Sequence, residues 1–197
     1  MPSDVMGNME RTSTAAATTK LGILTPEKRG GTFVIESAKL SDVPQIVKMV
    51  NNEAKLSGAV IKVTPSEVTG WVESNLSFVA KMGTEIVGHT AGYVWPGSGL
   101  AEHRAVVVLP EYRGNGINAS LTAVFMQTLI ESNPSITIIS LKNANAHESA
   151  KSGIIKSGFR PISVDELPDE IFNSTGKRED YTAYAYNYEE VKELERS

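Results

Sequence analysis

The spacing of apolar positions changes along this chain, and each change predicts a new element. Apolar residues at alternate positions mark Thr32–Ala38 as a strand. Ser41-Asp42-Val43-Pro44 then opens a helix, because Pro is tolerated in a first turn. Val43, Ile46, Val47, Val50 and Ala54 give that helix one apolar face. Thr64-Pro65-Ser66-Glu67 reads as a capping box with Pro at the first helical position, announcing a short helix that carries Val68, Trp71 and Val72. Phe78–Lys81 and Ile86–Val94 read as strands meeting in a hairpin at Met82-Gly83-Thr84. A strand over Glu102–Leu109 leads into a helix from Ile117, followed by a strand at Ile136–Leu141, a helix at His147–Ser157 and a strand at Phe159–Val164. A loop from Asp165 to Asp180 leads to a last alternating strand, Tyr181–Tyr188. The order β-α-α-β-β-β-α-β-α-β-β predicts an α/β layered architecture, a mixed sheet of about six to seven strands flanked by about four helices.

The ends behave differently. Residues 1–31 are rich in Ser, Thr, Ala and Gly without a sustained period, which predicts a flexible N-terminal arm or an expression remnant. They hold few arginines for an organelle transit peptide. Residues 32–190 form the predicted domain and 191–197 a charged tail. A length of 197 residues suits one domain with a proper core, and 41% hydrophobic with 21% charged residues is ordinary for a globular protein. A net charge of −4 argues against a general nucleic-acid binder, and no run suits a membrane span or a signal peptide. The chain has no cysteine, which excludes disulfides, a Cys nucleophile and thiolate metal sites and fits a reducing, cytoplasmic setting. Three scattered histidines predict no His-based metal cluster. The expected partner is a small molecule rather than nucleic acid or membrane, and a homodimer is compatible with the sequence.

The chemistry concentrates between Ala105 and Leu121, A-V-V-V-L-P-E-Y-R-G-N-G-I-N-A-S-L. An apolar strand runs into an Arg-Gly-Asn-Gly turn and straight into a helix. Such a turn offers unpaired backbone N–H groups at a helix N-terminus, where the dipole also favours an anion. Gly114 and Gly116 let the backbone approach a bulky ligand, and Arg113 adds positive charge. These features describe a diphosphate cradle. Asn115-Gly116 alone would suit a hairpin, but Ile117, Leu121, Val124, Phe125 and Leu129 keep a helical period. Gly114-x-Gly116-x-x-Ala119 also satisfies a dinucleotide fingerprint, which wants an acidic residue about 20 residues on, where the next strand ends in Lys142. A strand-turn-helix without a ligand stays open as well.

V-L-P-E-Y-R-G-N-G-I resembles the acyl-CoA-binding motif of the GNAT acetyltransferase superfamily, V-x-P-x-Y-R-G-x-G followed by a helix. The short form Arg-x-x-Gly-x-Gly/Ala is matched by Arg113 and Gly116 but not by Asn118. The resemblance implies the GNAT fold, acetyl-CoA as cosubstrate and no metal. It implies CoA contacts from Val106, Val108, Arg113, Gly114, Asn115, Gly116, Ile117 and Asn118, with the amide near Val108 stabilising the oxyanion. Acyl transfer from a thioester to an amine needs a deprotonated amine, a stabilised oxyanion and a departing thiolate. Glu102, at the mouth of the strand that feeds the turn, is the candidate base. Strict alternation puts Glu102, Arg104, Val106 and Val108 on one face. A solvated strand-end carboxylate is the competing reading of Glu102.

The second GNAT motif, Asn-x-x-Ala-x-x-x-Tyr-x-Lys-x-Gly-Phe, is met by His147, Ala150, Ile154, Lys156, Gly158 and Phe159. Its Tyr, the usual acid for the CoA sulfur, is Ile154 here, and its Asn is His147, which could bind pantetheine or the thiolate or simply cap the helix. The arginine-pathway N-acetylglutamate synthases also lack Tyr at that position, and their G-F-x-P-V-x-I-D-x-L-P resembles Gly158-Phe159-Arg160-Pro161-Ile162-Ser163-Val164-Asp165-Glu166-Leu167-Pro168. Asp42-Val43-Pro44-Gln45-Ile46 and Gly58-Ala59-Val60 echo their upstream pattern. Their substrate-carboxylate Arg corresponds to Val63 here, which leaves Lys62, and Lys177 or Arg178, as candidate carboxylate partners or plain surface cations. The implied activity is N-acetylation of a small molecule, glutamate leading. Another amine acceptor, such as a polyamine, an aminoglycoside or a protein N-terminus, and a non-catalytic acyl-CoA-binding module are the alternatives.

Overall fold

The computed structural model describes residues 21–24, 32–58, 60–143, 148–172 and 177–187. In chain order the elements are β1 (Leu21–Leu24), β2 (Phe33–Ser37), α1 (Val43–Ser57), α2 (Pro65–Glu73), β3 (Ser77–Met82), β4 (Glu85–Trp95), β5 (Leu100–Val108), α3 (Ile117–Ser132), β6 (Thr137–Asn143), α4 (Glu148–Lys156), β7 (Arg160–Ile162) and β8 (Tyr181–Tyr186). From β2 onward this is the order the apolar spacing predicts. The sheet has eight strands rather than six or seven, because β1 adds an antiparallel edge strand beside β2. Its four residues are too few for a period to register, and they sit in the segment whose composition reads as an arm.

Local chemistry explains the boundaries. The Thr64 hydroxyl accepts from the Glu67 N–H at 3.3 Å while the Thr64 N–H donates to the Glu67 carboxylate at 2.7 Å, so α2 starts at a true capping box. α1 ends at Gly58, whose φ of 62° turns the chain left-handed and lets its N–H cap the Ala54 carbonyl.

The strand order is β1-β2-β3-β4-β5-β6-β8-β7, with helices on both faces. On one face Leu121, Phe125 and Leu129 of α3 bury against Ala80, Val87 and Ile138. On the other, Ile46 and Val50 of α1 and Val68 and Trp71 of α2 bury against Val79, Ile86 and Val107. The close seat of α3 depends on Gly92, where a Cβ would lie 2.2 Å from the Phe125 ring and 2.8 Å from the Glu102 carbonyl oxygen. Gly92→Ala is therefore expected to destabilise the fold by about 1–3 kcal/mol through overpacking. A lowered urea midpoint at unchanged slope is the expected result, and an unchanged midpoint would contradict that close approach.

Two irregularities shape the centre of the sheet. β5 runs parallel to β6 through only Leu100↔Thr137, Ala101↔Ile138 and Glu102↔Ile139. Beyond that point β5 stays with β4 as far as Val108, and β6 stays with β8 as far as Asn143, so the two strands part and a wedge opens. The second irregularity is a bulge in β5, where the β4 register passes from Ala91↔Arg104 to His89↔Val107, and Ala105 takes a φ of 51°. The bulge overturns the strict alternation expected along β5. Before it, Ala101 and His103 face α3, so Glu102 and Arg104 face the α1/α2 side. After it, Val106 and Val108 line the α3 side while Val107 joins α1 and α2. One inserted residue reverses the parity.

Candidate active site

A cavity of about 670 Å³ fills the wedge. β5 contributes Glu102 to Val108, β6 contributes Leu141 to Asn143, and the turn before α3, the α1–α2 loop and α4 close the rest. Glu102, Val106, Val108, Arg113, Gly114, Gly116, Ile117, Asn118 and Lys62 all line this one space. Two of the expected residues that the structure describes, Asn115 and Arg178, are not brought into it. The Asn115 side chain turns back to donate to the Tyr112 carbonyl at 3.2 Å. Arg178 braces the late loop, bonding the Val164 and Leu167 carbonyls and the Asp169 carboxylate and stacking 4.5 Å over Phe172. His147 lies outside the described residues.

The glycine turn has the backbone that an anion cradle needs. Gly114 and Gly116 have φ of 80° and 76°, and Gly116 caps α3 without any side-chain bond to the first-turn amides. A Cβ on either glycine would meet nothing within 4 Å, so the left-handed backbone, rather than crowding, is what requires glycine. Arg113 ties the turn down. Its Nε donates to the Val108 carbonyl at 2.9 Å and its Nη2 to the Glu53 carboxylate at 2.7 Å. The strand amides add further donors. The Leu109 N–H bonds the Val87 carbonyl at 3.0 Å on the β4 side, so by alternation the Val108 N–H points the other way, into the wedge.

Glu102 stands at the last β5–β6 pair and is 4% exposed, so it is no solvated strand end. It is ion-paired with Arg104. The Arg104 guanidinium lies 5.9 Å over the Tyr93 ring, and its Nε has no hydrogen-bond partner among the described residues.

Two buried histidines brace this centre. His89 Nδ1 lies 3.1 Å from the Ala105 carbonyl and Nε2 lies 3.0 Å from the Ser77 hydroxyl. A carbonyl only accepts, so Nδ1 carries the proton and Nε2 accepts from Ser77. His89 thereby holds the left-handed residue of the bulge, and burial pushes its imidazole down to about 4, with the Ala105 carbonyl opposing. His103 Nε2 pairs with the Thr90 hydroxyl at 2.8 Å, while its Nδ1 has no partner among the described residues. Burial, then the nearby Lys142 charge, holds the His103 imidazole well below its usual range. Burial likewise pushes the Lys142 ammonium down to about 8, opposed by Glu102.

A sequence model described as the Acetyltransferase (GNAT) family matches residues 53–153, from α1 through the wedge into α4. The chain belongs to the GNAT acetyltransferase family. No curated protein matches its sequence. Among solved structures, N-acetylglutamate synthase from Neisseria gonorrhoeae, complexed with coenzyme A and N-acetyl-glutamate, is similar at TM-score 0.66 and 16% identity, over 80% of this chain and 35% of that one. The chain thus spans about a third of that synthase. A Mycobacterium tuberculosis protein in complex with CoA is similar at TM-score 0.61 and 20% identity, over 77% of this chain and 97% of that one. Ribosomal-protein-alanine N-acetyltransferase from Brucella melitensis is similar at 0.60 and 17%, over 77% and 98%. At such identities the likeness is one of fold.

The similar synthase and the similar Mycobacterium tuberculosis protein are each complexed with CoA, the carrier of the acetyl group in acetyl-CoA. The cavity suits that donor in three respects: unpaired amides at the N-terminus of α3 for the diphosphate, a slot between parted strands for an extended arm, and inward-facing strand amides. His89, His103, Arg104 and Lys142 escape the sequence reading. Their burial and pairing depend on which strands neighbour β5.

Proposed function

We propose that the chain transfers the acetyl group of acetyl-CoA to the amino group of a free amino acid, with glutamate the leading acceptor. The observation that carries the transfer chemistry is a buried carboxylate, Glu102, at the apex of the wedge, and the cation Lys62 on the cavity wall favours an acidic acceptor. In this mechanism the amides from Arg113 to Asn118 hold the diphosphate and Val106 and Val108 border the thioester arm. Glu102, on the α1/α2 side, takes the ammonium proton of the acceptor through water. The free amine attacks the thioester carbonyl directly, and the Val108 N–H donates to the oxygen as it becomes an oxyanion. Lys62, in the α1–α2 loop at the cavity wall, binds a carboxylate of the acceptor, with Arg104 beside Glu102 as a second cation.

A cationic acceptor, such as a polyamine or a protein N-terminus, has one feature in its favour: Glu53 and Glu67 also line the cavity. CoA release from acetyl-CoA over a panel of amino acids and amines separates the two. Saturable turnover on glutamate supports the first reading, and turnover on amines alone replaces it with the second. Lys62→Glu is expected to raise KM for glutamate about tenfold, the loss of one partly screened charge contact worth about 1.4 kcal/mol. Arg178→Glu is expected to lower the melting temperature without a selective KM effect, since Arg178 braces a loop. Equal KM changes in both variants would reject the role given to Lys62.

A further inference from the structure

The GNAT motif supplies a Tyr from α4 to protonate the CoA sulfur, and Ile154 occupies that position here, buried in the α3-side core. A small polar cavity of about 60 Å³ adjoins Ile154 on the α3 side of the wedge. Its walls include His103, Asn118, Thr122, Lys142 and Ile154. Lys142 lines both this recess and the main cavity, so its side chain stands at the boundary between the two. It comes from β6 just past the last β5–β6 pair. Ile138 and Ile139 bury on opposite faces of β6, so alternation sets Lys142 on the α3 side, across the sheet from Glu102. Among the described residues Glu102 is the group whose charge acts on its ammonium.

We propose that Lys142 is the general acid of this enzyme, reaching the departing sulfur from the side of the sheet opposite Glu102 and replacing the missing Tyr. This rests on acetyl transfer from acetyl-CoA in the wedge. The acceptor nitrogen forms a bond to the acetyl carbon, the carbon–sulfur bond breaks, and the sulfur keeps the electron pair. One Lys142 proton then completes the CoA thiol. Of the two protons the acceptor ammonium loses, Glu102 passes one to solvent, and the other balances the proton that Lys142 regains from water.

The groups around Lys142 support a proton donor. Glu102, His103 and Arg104 from β5, Lys156 from α4 and Tyr181 from β8 line the same cavity. His103 is held neutral by burial, and Glu102 keeps the lysine from losing its proton more readily still. An ammonium titrating at about 8 matches a thiol of ordinary pKa near 8.5, the condition for efficient transfer between them.

Lys142→Met and Lys142→Arg test this in the intact chain. With acetyl-CoA and the best acceptor, Lys142→Met is expected to lower kcat by about 10- to 100-fold, less than the general range because a thiolate leaves readily. The alkaline fall of wild-type kcat above about pH 8 should vanish with it. Lys142→Arg keeps the charge but gives up no proton, so it should stay slow. Thiolate ultraviolet absorbance of bound CoA provides a readout without turnover: a cation beside the sulfur should make the thiol ionise at lower pH in wild type and Lys142→Arg than in Lys142→Met. Full activity in Lys142→Arg would reduce the lysine to a fixed charge and overturn the proposal. So would a thiol that titrates alike in wild type and Lys142→Met, or acetylation of Lys142 itself detected by intact mass. Wild type inert toward every acceptor would fail the proposed function, while the thiolate titration would still decide Lys142.

Discussion

Glu102→Gln should lower kcat by about 10²- to 10⁴-fold while leaving the affinity for CoA within about twofold. Gln keeps the shape of Glu and loses only the capacity to hold the proton of the acceptor. Glu102 and the turn before α3 approach the cavity from different elements, and Glu102 faces the α1/α2 side, so the diphosphate cradle should not register the change. Arg104 loses its partner, so the variant should also melt earlier, because removing one member of a buried pair leaves a charge uncompensated. A pH profile separates the catalytic loss from the structural one. Without a protein base the rate should climb with pH as the acceptor deprotonates in solution, whereas the wild-type rate should be flatter. Unchanged kcat would remove Glu102 from the mechanism.

His89→Leu should cost about 3–5 kcal/mol of stability and much of the activity. It leaves the buried Ser77 hydroxyl without a partner, at about 1–3 kcal/mol, and frees the half-buried Ala105 carbonyl at a smaller cost. It also removes the clamp on a non-glycine residue held left-handed, a conformation that costs about 1–2 kcal/mol and would relax. Relaxing the bulge turns Val106 and Val108 to the wrong face, so kcat should fall with stability. The wild type carries a matching pH signature. An unfolded His takes its proton near 6.5, whereas folded His89 resists protonation down to about 4. Between those values the unfolded chain binds the extra proton, so stability is full above 6.5 and declines as the pH falls, by up to about 3 kcal/mol at pH 4. His103 acts in the same direction, so the difference between wild type and His89→Leu isolates His89. Urea midpoints at neutral and acidic pH give both numbers, and identical acid sensitivity in the two proteins would reject the clamp.

Much of this architecture can be read along the chain. The capping box at Thr64 and the helical period after Gly116 are local, so adjacent residues carry their whole cause. The glycine turn is legible for the same reason, whereas Glu102 stands out only through the family resemblance. The bulge is not legible. Nothing in Arg104-Ala105-Val106-Val107 marks an extra residue, because what holds it is a histidine on the neighbouring strand. Arg178 shows the opposite case: a cation in the late loop reads as a candidate carboxylate partner, yet its guanidinium bonds three groups of that loop and stacks on Phe172. Lys142 stood out in the sequence only as the residue that spoils a dinucleotide motif. Its interest arises when β6 swings away from β5 and leaves it beside Ile154.

The parting of β5 and β6 means that the sheet is two half-sheets hinged on three residue pairs. An extended chain laid in the gap, bonded by backbone amides such as that of Val108, works as a missing rung. The acyl donor is then part of the scaffold as well as its substrate. Saturation at about 100 times Kd adds about 2.7 kcal/mol to stability. Its imprint should concentrate at the hinge, with amide exchange slowing most in β5 after Glu102 and in β6 after Ile139, and least in β2 and β3 at the far side of the sheet. In the proposed reaction, release of CoA removes that rung, so the slowed exchange should revert as the ligand dissociates.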